Sequence, residues 1–180
     1  ENWSRPKIEI KALMKLIILT IDNYIDELID NNVQVKIIGD VSGLPSNVSN
    51  KLKEAVAKTS MNNKLTLNLA INYGAQEEIL RAVRLIVKDI NNNNISASDI
   101  NNKLLESKLY TSSQPNPDLL IRTGGEFRIS NFLLWQLAYS EIIINDKYWP
   151  DYKAEDLSND IKAYMQRERR FGKISEQITS

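Results

Sequence analysis

A short stretch beyond the middle of the chain carries side chains that could bind an anion with several oxygens. Arg122 stands at the end of a predicted buried strand, and Arg128 and Ser130 follow it closely. Between them, Gly124-Gly125 allow the backbone to turn sharply. Arginine forks pair well with phosphate oxygens. The spacing therefore predicts a site for a diphosphate group.

A helix is predicted directly after these residues. Ser130 or Asn131 can cap it, and the apolar residues of 132–139 can form its buried face. Free N–H groups at the start of this helix would add partial positive charge to the anion site.

The same arginines have a simpler interpretation as members of a surface ion network. Arg122 and Arg128 could pair with Glu126, Asp118 or Glu141, as most exposed arginines do. The double glycine and the predicted cap favour the anion site, because an ion network requires neither.

The composition excludes several classes of function. The chain has 180 residues, which suits one domain with its own core, and no cysteine or histidine. Serine–histidine hydrolases and histidine-ligated zinc enzymes are thereby excluded. The net charge is zero, which argues against binding to nucleic acid. No apolar run is long enough to span a bilayer, and no signal peptide is visible.

Strands and helices alternate along the sequence, which predicts an α/β fold with a mostly parallel central sheet flanked by helices. Strands are predicted at 33–38, 64–72, 118–121 and 142–144, and helices at 7–30, 45–60, 76–90 and 154–171. A further short helix, capped by Ser96 or Ser98, is predicted to end at Leu105. Ligands of such sheets bind beyond the C-terminal ends of the strands. Arg122, Asn72-Tyr73-Gly74 and Gly39-Asp40 all follow predicted strands, so a site is expected there.

Residues 118–141, which we call the organising stretch, also carry a family resemblance. Arg122 to Phe132, RTGGEFRISNF, with Trp135-Gln136 and Glu141 after it, resembles the signature of the cis-prenyltransferases, bacterial undecaprenyl diphosphate synthases above all. Glu1 to Pro6, ENWSRP, and Leu65 to Gly74, LTLNLAINYG, resemble two further family segments. The resemblance extends from Glu1 to about Gly172 and implies the fold and activity of that family.

The first of these segments is implied to handle the allylic diphosphate substrate. Glu1, Trp3 and Arg5 match substrate-binding positions of the family, and Asn2 matches the residue assigned to proton removal. An amide is a weak base, so Asn2 would need a diphosphate or water relay. From the residues alone, a frayed terminus is the simpler interpretation.

The organising stretch is implied to bind the second substrate, isopentenyl diphosphate. Arg122, Arg128, Ile129 and Ser130 match those binding positions, and Glu141 matches a Mg²⁺ ligand. In the family Mg²⁺ also uses an aspartate upstream of the matched region. Since the chain has no counterpart of that segment, we expect a single α/β domain over 1–180 that is incomplete at its N-terminus.

Two departures from the family pattern favour an alternative. Phe127 replaces a histidine that many bacterial members have, and Ala75-Gln76 replaces a common Gly-Arg. The alternative is a truncated or non-catalytic subunit that binds a diphosphate or a partner without turnover. The preferred hypothesis is an enzyme that extends farnesyl diphosphate to a long polyprenyl diphosphate, the lipid carrier of cell-wall synthesis.

The resemblance also implies a homodimer in the cytoplasm that contacts the membrane as its product leaves. The basic segment with Arg167, Arg169 and Arg170 would lie near the dimer interface. A solvated helix end explains the same charges. The apolar residues of the first helix are explained equally by a plain core and by a tunnel for the growing chain.

Overall fold

The computed structural model describes residues 2–168, without the side chain of Asn2. It comprises two compact units, Glu1–Ser112 and Ser113–Ser180, which we call the N-terminal and C-terminal units and describe separately.

The N-terminal unit alternates helices and strands, as the sequence predicts. After a 3-10 turn at Asn2–Ser4, its elements are α1 (Lys7–Asp30), β1 (Val33–Ile38), α2 (Ser46–Lys58), β2 (Leu65–Ala70), α3 (Ala75–Asn91) and α4 (Asn102–Glu106). A 3-10 turn at Ala97–Asp99 precedes α4, whose cap is Asn101, through a bond from the Leu104 N–H, rather than Ser96 or Ser98. The other predicted elements are confirmed to within two residues at each end.

Strands β1 and β2 pair in parallel, from Val33 opposite Leu65 to Ile38 opposite Ala70. Their C-terminal ends therefore lie side by side, and Gly39 follows β1 with a φ of +119°. A Cβ on Gly39 would lie 2.1 Å from the carbonyl oxygen of Ile71. The backbones that follow β1 and β2 therefore approach more closely than any residue with a side chain would allow.

The core of this unit forms between α1, α2 and the loop before α2. Its buried members are Ile21, Ile25, Leu44, Val48, Leu52 and Ala55. Much of α1 stays outside this core, since Ile8, Leu16 and Tyr24 are exposed. No helix of the described residues is both long and apolar enough to cross a membrane.

In its described residues, up to 168, the C-terminal unit contains a second parallel strand pair and one α-helix. Strands β3 (Leu119–Thr123) and β4 (Glu141–Asn145) pair from Leu119 opposite Glu141 to Thr123 opposite Asn145, and α5 covers Ala154–Met165. The predicted α/β class with parallel strands is confirmed. Helix α5 ends earlier than predicted, because Gln166 to Glu168 leave the helical path, and 169–180 lie outside the described residues.

The helix predicted after Ser130 is wrong. Residues 130–139 form a series of turns, and Ser130, Asn131 and Leu133 have φ values of +52°, +57° and +48°. A right-handed helix requires negative φ at every position, so these residues interrupt it. The caps assigned to Ser130 and Asn131 and the positive potential of a helix start are therefore removed from the candidate site.

Candidate active site

The loop of residues 124–130, which we call the arginine loop, leaves the C-terminal end of β3 and folds back onto it. Gly124 and Gly125 have φ values of +89° and +70°, as the predicted sharp turn requires. Their N–H groups donate to the carbonyl oxygens of Lys147 and Asn145, at 2.8 and 3.0 Å. The loop therefore begins in a fixed position beside the end of β4.

Arg122 closes the arginine loop from the strand. Its Nη1 donates to the carbonyl oxygen of Arg128 and, at 3.1 Å, to Oγ of Ser130. The guanidinium is partly buried, and its Nε is fully buried with no hydrogen-bond partner among the described residues. A buried donor without an acceptor is costly, so an oxygen-rich ligand that reaches Nε would stabilise the site.

The backbone carbonyl of Arg128 contacts the guanidinium of Arg122, while the Arg128 side chain points toward solvent. Its Nη1 pairs with Oε2 of Glu126 at 2.6 Å, and both side chains are more than half exposed. An ion pair of this kind contributes little to stability, so its guanidinium can exchange Glu126 for a ligand. Phe127 between them is 87% exposed, and Ile129 is half-buried.

Glu141, the predicted Mg²⁺ ligand, opens β4. Its Oε2 accepts a hydrogen bond from Nη1 of Arg167 at 2.8 Å, and Arg167 also donates to the carbonyl oxygen of Ile142. Among the described residues, no group of three or more acidic, cysteine or histidine side chains could enclose a metal ion. A single carboxylate suits Mg²⁺ only if substrate phosphates and water complete the coordination, which is common for this ion.

In the N-terminal unit, Trp3 and Arg5 precede α1. Trp3 is 48% exposed, and its Nε1 donates to Oδ1 of Asn72 at 2.7 Å. Arg5 pairs with Glu9 at 2.5 Å on the first turn of α1, where both are exposed. Glu1 and the side chain of Asn2 lie outside the described residues, so their predicted roles stay predictions.

Residues 71–74, which we call the asparagine turn, join β2 to α3. Nδ2 of Asn72 donates to the carbonyl oxygen of Asp40 at 2.7 Å, and the Asp40 N–H donates to the carbonyl oxygen of Asn72. The hydroxyl and then the N–H of Ser42 bond the carboxylate of Asp40 and lower its pKa, and Arg81 adds to this effect. Asp40 is therefore an anion at neutral pH.

A cavity of 230 Å³ opens beside the asparagine turn. It is lined by Asp40, Asn72, Gly74, Glu77, Glu78, Arg81, Arg84 and Tyr110. Glu78 is 1% exposed and accepts hydrogen bonds from the Tyr73 hydroxyl and the Tyr110 N–H, at 2.6 and 2.7 Å. Arg81 lies 4.3 Å from the centroid of the Tyr110 ring. These contacts fix the wall of the cavity.

The structure thus joins Arg122, Arg128 and Ser130 in the C-terminal unit, and Trp3 with the strand ends in the N-terminal unit. Sequence reasoning missed the bond from Trp3 to Asn72, although it did place Asn72 at a strand end. It also missed the partner of Glu141, because Arg167 lies on another element and no local pattern connects them.

Comparison with known proteins decides the family. Residues 1–172 match the sequence profile of a family described as putative undecaprenyl diphosphate synthase. The chain belongs to this family. As a member of the undecaprenyl diphosphate synthase family, it is a prenyltransferase, and the resemblance drawn from the three motifs is confirmed.

Two curated relatives illustrate the similarity. The chain is 49% identical to an isoprenyl transferase of Clostridium tetani, over 97% of this chain and 68% of the relative. It is 44% identical to the ditrans,polycis-undecaprenyl-diphosphate synthase ((2E,6E)-farnesyl-diphosphate specific) of Aliivibrio fischeri, over 99% of this chain and 69% of the relative.

Two solved structures share the fold. Lavandulyl diphosphate synthase from Lavandula x intermedia, in complex with dimethylallyl diphosphate, superposes with a TM-score of 0.93 at 33% identity, covering 96% of this chain and 75% of the other. A probable undecaprenyl diphosphate synthase from Campylobacter jejuni gives 0.84 at 35% identity, covering 96% and 78%.

Proposed function

We propose that this prenyltransferase condenses isopentenyl diphosphate with an allylic diphosphate, such as farnesyl diphosphate, and repeats the step to a long cis-polyprenyl diphosphate. In each step a carbon–carbon bond forms, the allylic carbon–oxygen bond to diphosphate breaks, and one proton leaves the isopentenyl unit. The names of the relatives support this choice, because one is specific for farnesyl diphosphate and another contains an allylic diphosphate.

The observation that carries the proposal is the guanidinium of Arg122. One of its nitrogens already organises the arginine loop, while its buried Nε has no acceptor among the described residues. A diphosphate oxygen supplies such an acceptor and adds a charge-assisted bond. Arg128 and Ser130 would complete the site for isopentenyl diphosphate, with Ile129 beside them.

Trp3 and Arg5 would bind the allylic substrate in this scheme. A half-exposed indole offers an apolar face to an isoprenoid chain. Arg5 pairs with Glu9 in solvent, and such a pair is weak enough to be exchanged for a phosphate. The resemblance assigns Glu1 to substrate binding and Asn2 to the proton-transfer step, and both assignments rest on it alone.

Glu141 is the residue of this chain that would hold Mg²⁺, after its carboxylate leaves Arg167. When bound, the cation neutralises charge on the leaving diphosphate. We further propose a single-domain homodimer in the cytoplasm, with peripheral membrane contact at product release. An upstream aspartate-bearing segment, which the resemblance implies as a second Mg²⁺ ligand, remains a prediction.

The test of this function is incorporation of labelled isopentenyl diphosphate into lipid. This chain, and a version extended upstream with the family segment, are incubated with farnesyl diphosphate and Mg²⁺. Long labelled product supports the proposal, and product only from the extended version supports the need for the segment. Absence of product from both contradicts the function and favours the non-catalytic alternative.

The anion site has its own measurement. Binding of isopentenyl diphosphate by calorimetry should weaken about tenfold in Arg128→Ala, since one charge-assisted contact is lost. The control is Lys53→Ala, which removes an exposed cation from α2, away from the cavity, and should bind as the original chain does. Equal affinity of the Arg128→Ala variant and the original chain would remove Arg128 from the site.

A further inference from the structure

We propose that Asn72 is a positioning residue for the allylic substrate and acts by fixing the ring plane of Trp3. The proposal rests on the function proposed above, in which Trp3 contacts that substrate. Asn72 is far from Trp3 in sequence, and the two side chains meet through one bond of 2.7 Å, from the indole Nε1 to Oδ1.

The bond is needed because burial does not orient the indole. Trp3 is 48% exposed and stands on a single 3-10 turn ahead of α1. A half-exposed ring can rotate about two side-chain torsions, because solvent does not restrain it as a packed core does. Since the indole has one donor, a hydrogen bond from Nε1 selects a single ring orientation.

Asn72 suits this role because both ends of its amide are used. While Oδ1 accepts from Trp3, Nδ2 donates to the carbonyl oxygen of Asp40, which determines the orientation of the amide. The backbone carbonyl of Asn72 also accepts from the Asp40 N–H at 3.2 Å. The ends of β1 and β2 thereby serve as the fixed support of the indole.

The backbone conformation restricts which residues can replace Asn72. Its φ is +49°, a left-handed conformation that asparagine, aspartate and glycine adopt more readily than other residues. The next residue, Tyr73, is held by the buried carboxylate of Glu78. Asn72→Gly therefore removes the amide without imposing strain. Asn72→Asp keeps an acceptor for the indole but loses the donor to the carbonyl oxygen of Asp40.

The experiment follows the indole N–H of Trp3 by NMR. The chain has three tryptophans, so Trp3→Phe assigns the Trp3 signal. In Asn72→Gly we expect that signal to shift and its hydrogen exchange to accelerate about tenfold, the signals of Trp135 and Trp149 staying in place. In Asn72→Asp, which keeps the acceptor but loses the bond to Asp40, hydrogen exchange of that signal should lie between the original chain and Asn72→Gly. An unchanged Trp3 signal in Asn72→Gly overturns the proposal.

Kinetics tests whether the orientation matters for the substrate. Asn72→Gly should raise KM for the allylic diphosphate about tenfold and leave KM for isopentenyl diphosphate unchanged, with partial rescue by Asn72→Asp. In a Trp3→Phe background, Asn72→Gly should add less than about twofold, because the donor is already absent. If the increase in KM of the double variant equals the product of the increases of the two single variants, the proposal is overturned.

The two proposals fail in different ways. A chain without turnover contradicts the proposed function, and the indole signal together with the affinity for allylic diphosphate then decides the role of Asn72. If the Asn72→Gly variant has the same turnover and KM values as the original chain, the positioning role is contradicted and the proposed function is unaffected.

Discussion

The asparagine turn and the arginine loop both follow parallel strands, yet they are held in different ways. The asparagine turn has a buried carboxylate behind it, since Glu78 binds Tyr73 and Tyr110, and Asn72 bonds to the neighbouring strand end. The arginine loop is closed by one partly buried guanidinium, while Arg128 and Glu126 pair in solvent.

This difference gives the two regions different roles: the asparagine turn supports the fold, and the arginine loop is the proposed site of ligand recognition. The buried carboxylate of Glu78 fixes Tyr73 in the asparagine turn, and changing it should alter the stability of the fold. In the arginine loop, the group that organises the backbone is also a proposed ligand contact. Changing Arg122 should therefore alter binding more than stability.

The largest expected effect is on stability. Glu78→Ala removes the acceptor of two hydrogen bonds and leaves a cavity, so the free energy of unfolding should fall by about 3 kcal/mol. Urea denaturation of the full chain measures it. The neighbouring, exposed Glu77→Ala is the control and should change stability by less than about 0.5 kcal/mol. Similar losses for both variants would show that the buried carboxylate is not a support.

Arg122→Lys should weaken binding of isopentenyl diphosphate by about 2 kcal/mol, roughly thirtyfold. A lysine keeps the charge but lacks the planar guanidinium, so it cannot bond to Arg128 and Ser130 and to a phosphate at the same time. The free energy of unfolding should change by less than about 1 kcal/mol. Calorimetric binding and urea denaturation test the two halves, and a larger loss of stability than of binding would reverse the contrast between the two regions.

In the C-terminal unit, stability should fall in strong alkali. Burial and then the hydrogen bond to Asp160 raise the pKa of Tyr152 to about 12. Because the pKa of this group is higher in the folded chain, its contribution is complete below the unfolded value near 10 and is lost as pH rises through about 12. Tyr152→Phe should cost about 1 kcal/mol at neutral pH.

Denaturation at a series of pH values checks this expectation. The difference between the original chain and Tyr152→Phe should shrink between about pH 10 and 12. A difference that stays constant over this interval would mean that the phenol does not titrate as part of the folded state.

The smallest effect is expected for Glu126→Gln. The exposed pair with Arg128 contributes little, so stability should change by less than about 0.5 kcal/mol. Binding of isopentenyl diphosphate should improve by about twofold, since the phosphate no longer competes with a carboxylate for Arg128. Weaker binding would indicate that Glu126 orients Arg128 for the ligand rather than competing with it.

Local signals in the sequence were sufficient for most of the fold. The helix predicted at 7–30 and the strand predicted at 33–38 agree with the observed limits of α1 and β1. Apolar residues spaced three and four apart indicate such a helix, and alternating apolar residues indicate such a strand. The double glycine predicted the turn after β3. The helix prediction after Ser130 failed because the apolar residues there have the spacing of a helix. The left-handed backbone at Ser130, Asn131 and Leu133 depends on the folded structure and has no signal in the spacing.

The site was predictable only where its members are close in sequence. Arg122 and Ser130 belong to one motif, and the structure joins them by a hydrogen bond. The bonds from Trp3 to Asn72 and from Arg167 to Glu141 connect distant segments. Each depends on how strands and helices pack, which spacing along the chain does not encode.

Gly39 has a consequence for how sequence variants of this enzyme should be interpreted. Any side chain there would collide with the carbonyl of Ile71 and separate the two strand ends. Asp40, the next residue, provides the oxygen that orients the Asn72 amide. Under the proposed role of Asn72, a substitution at position 39 should therefore weaken binding of the allylic substrate, although Gly39 is not itself among the proposed substrate contacts.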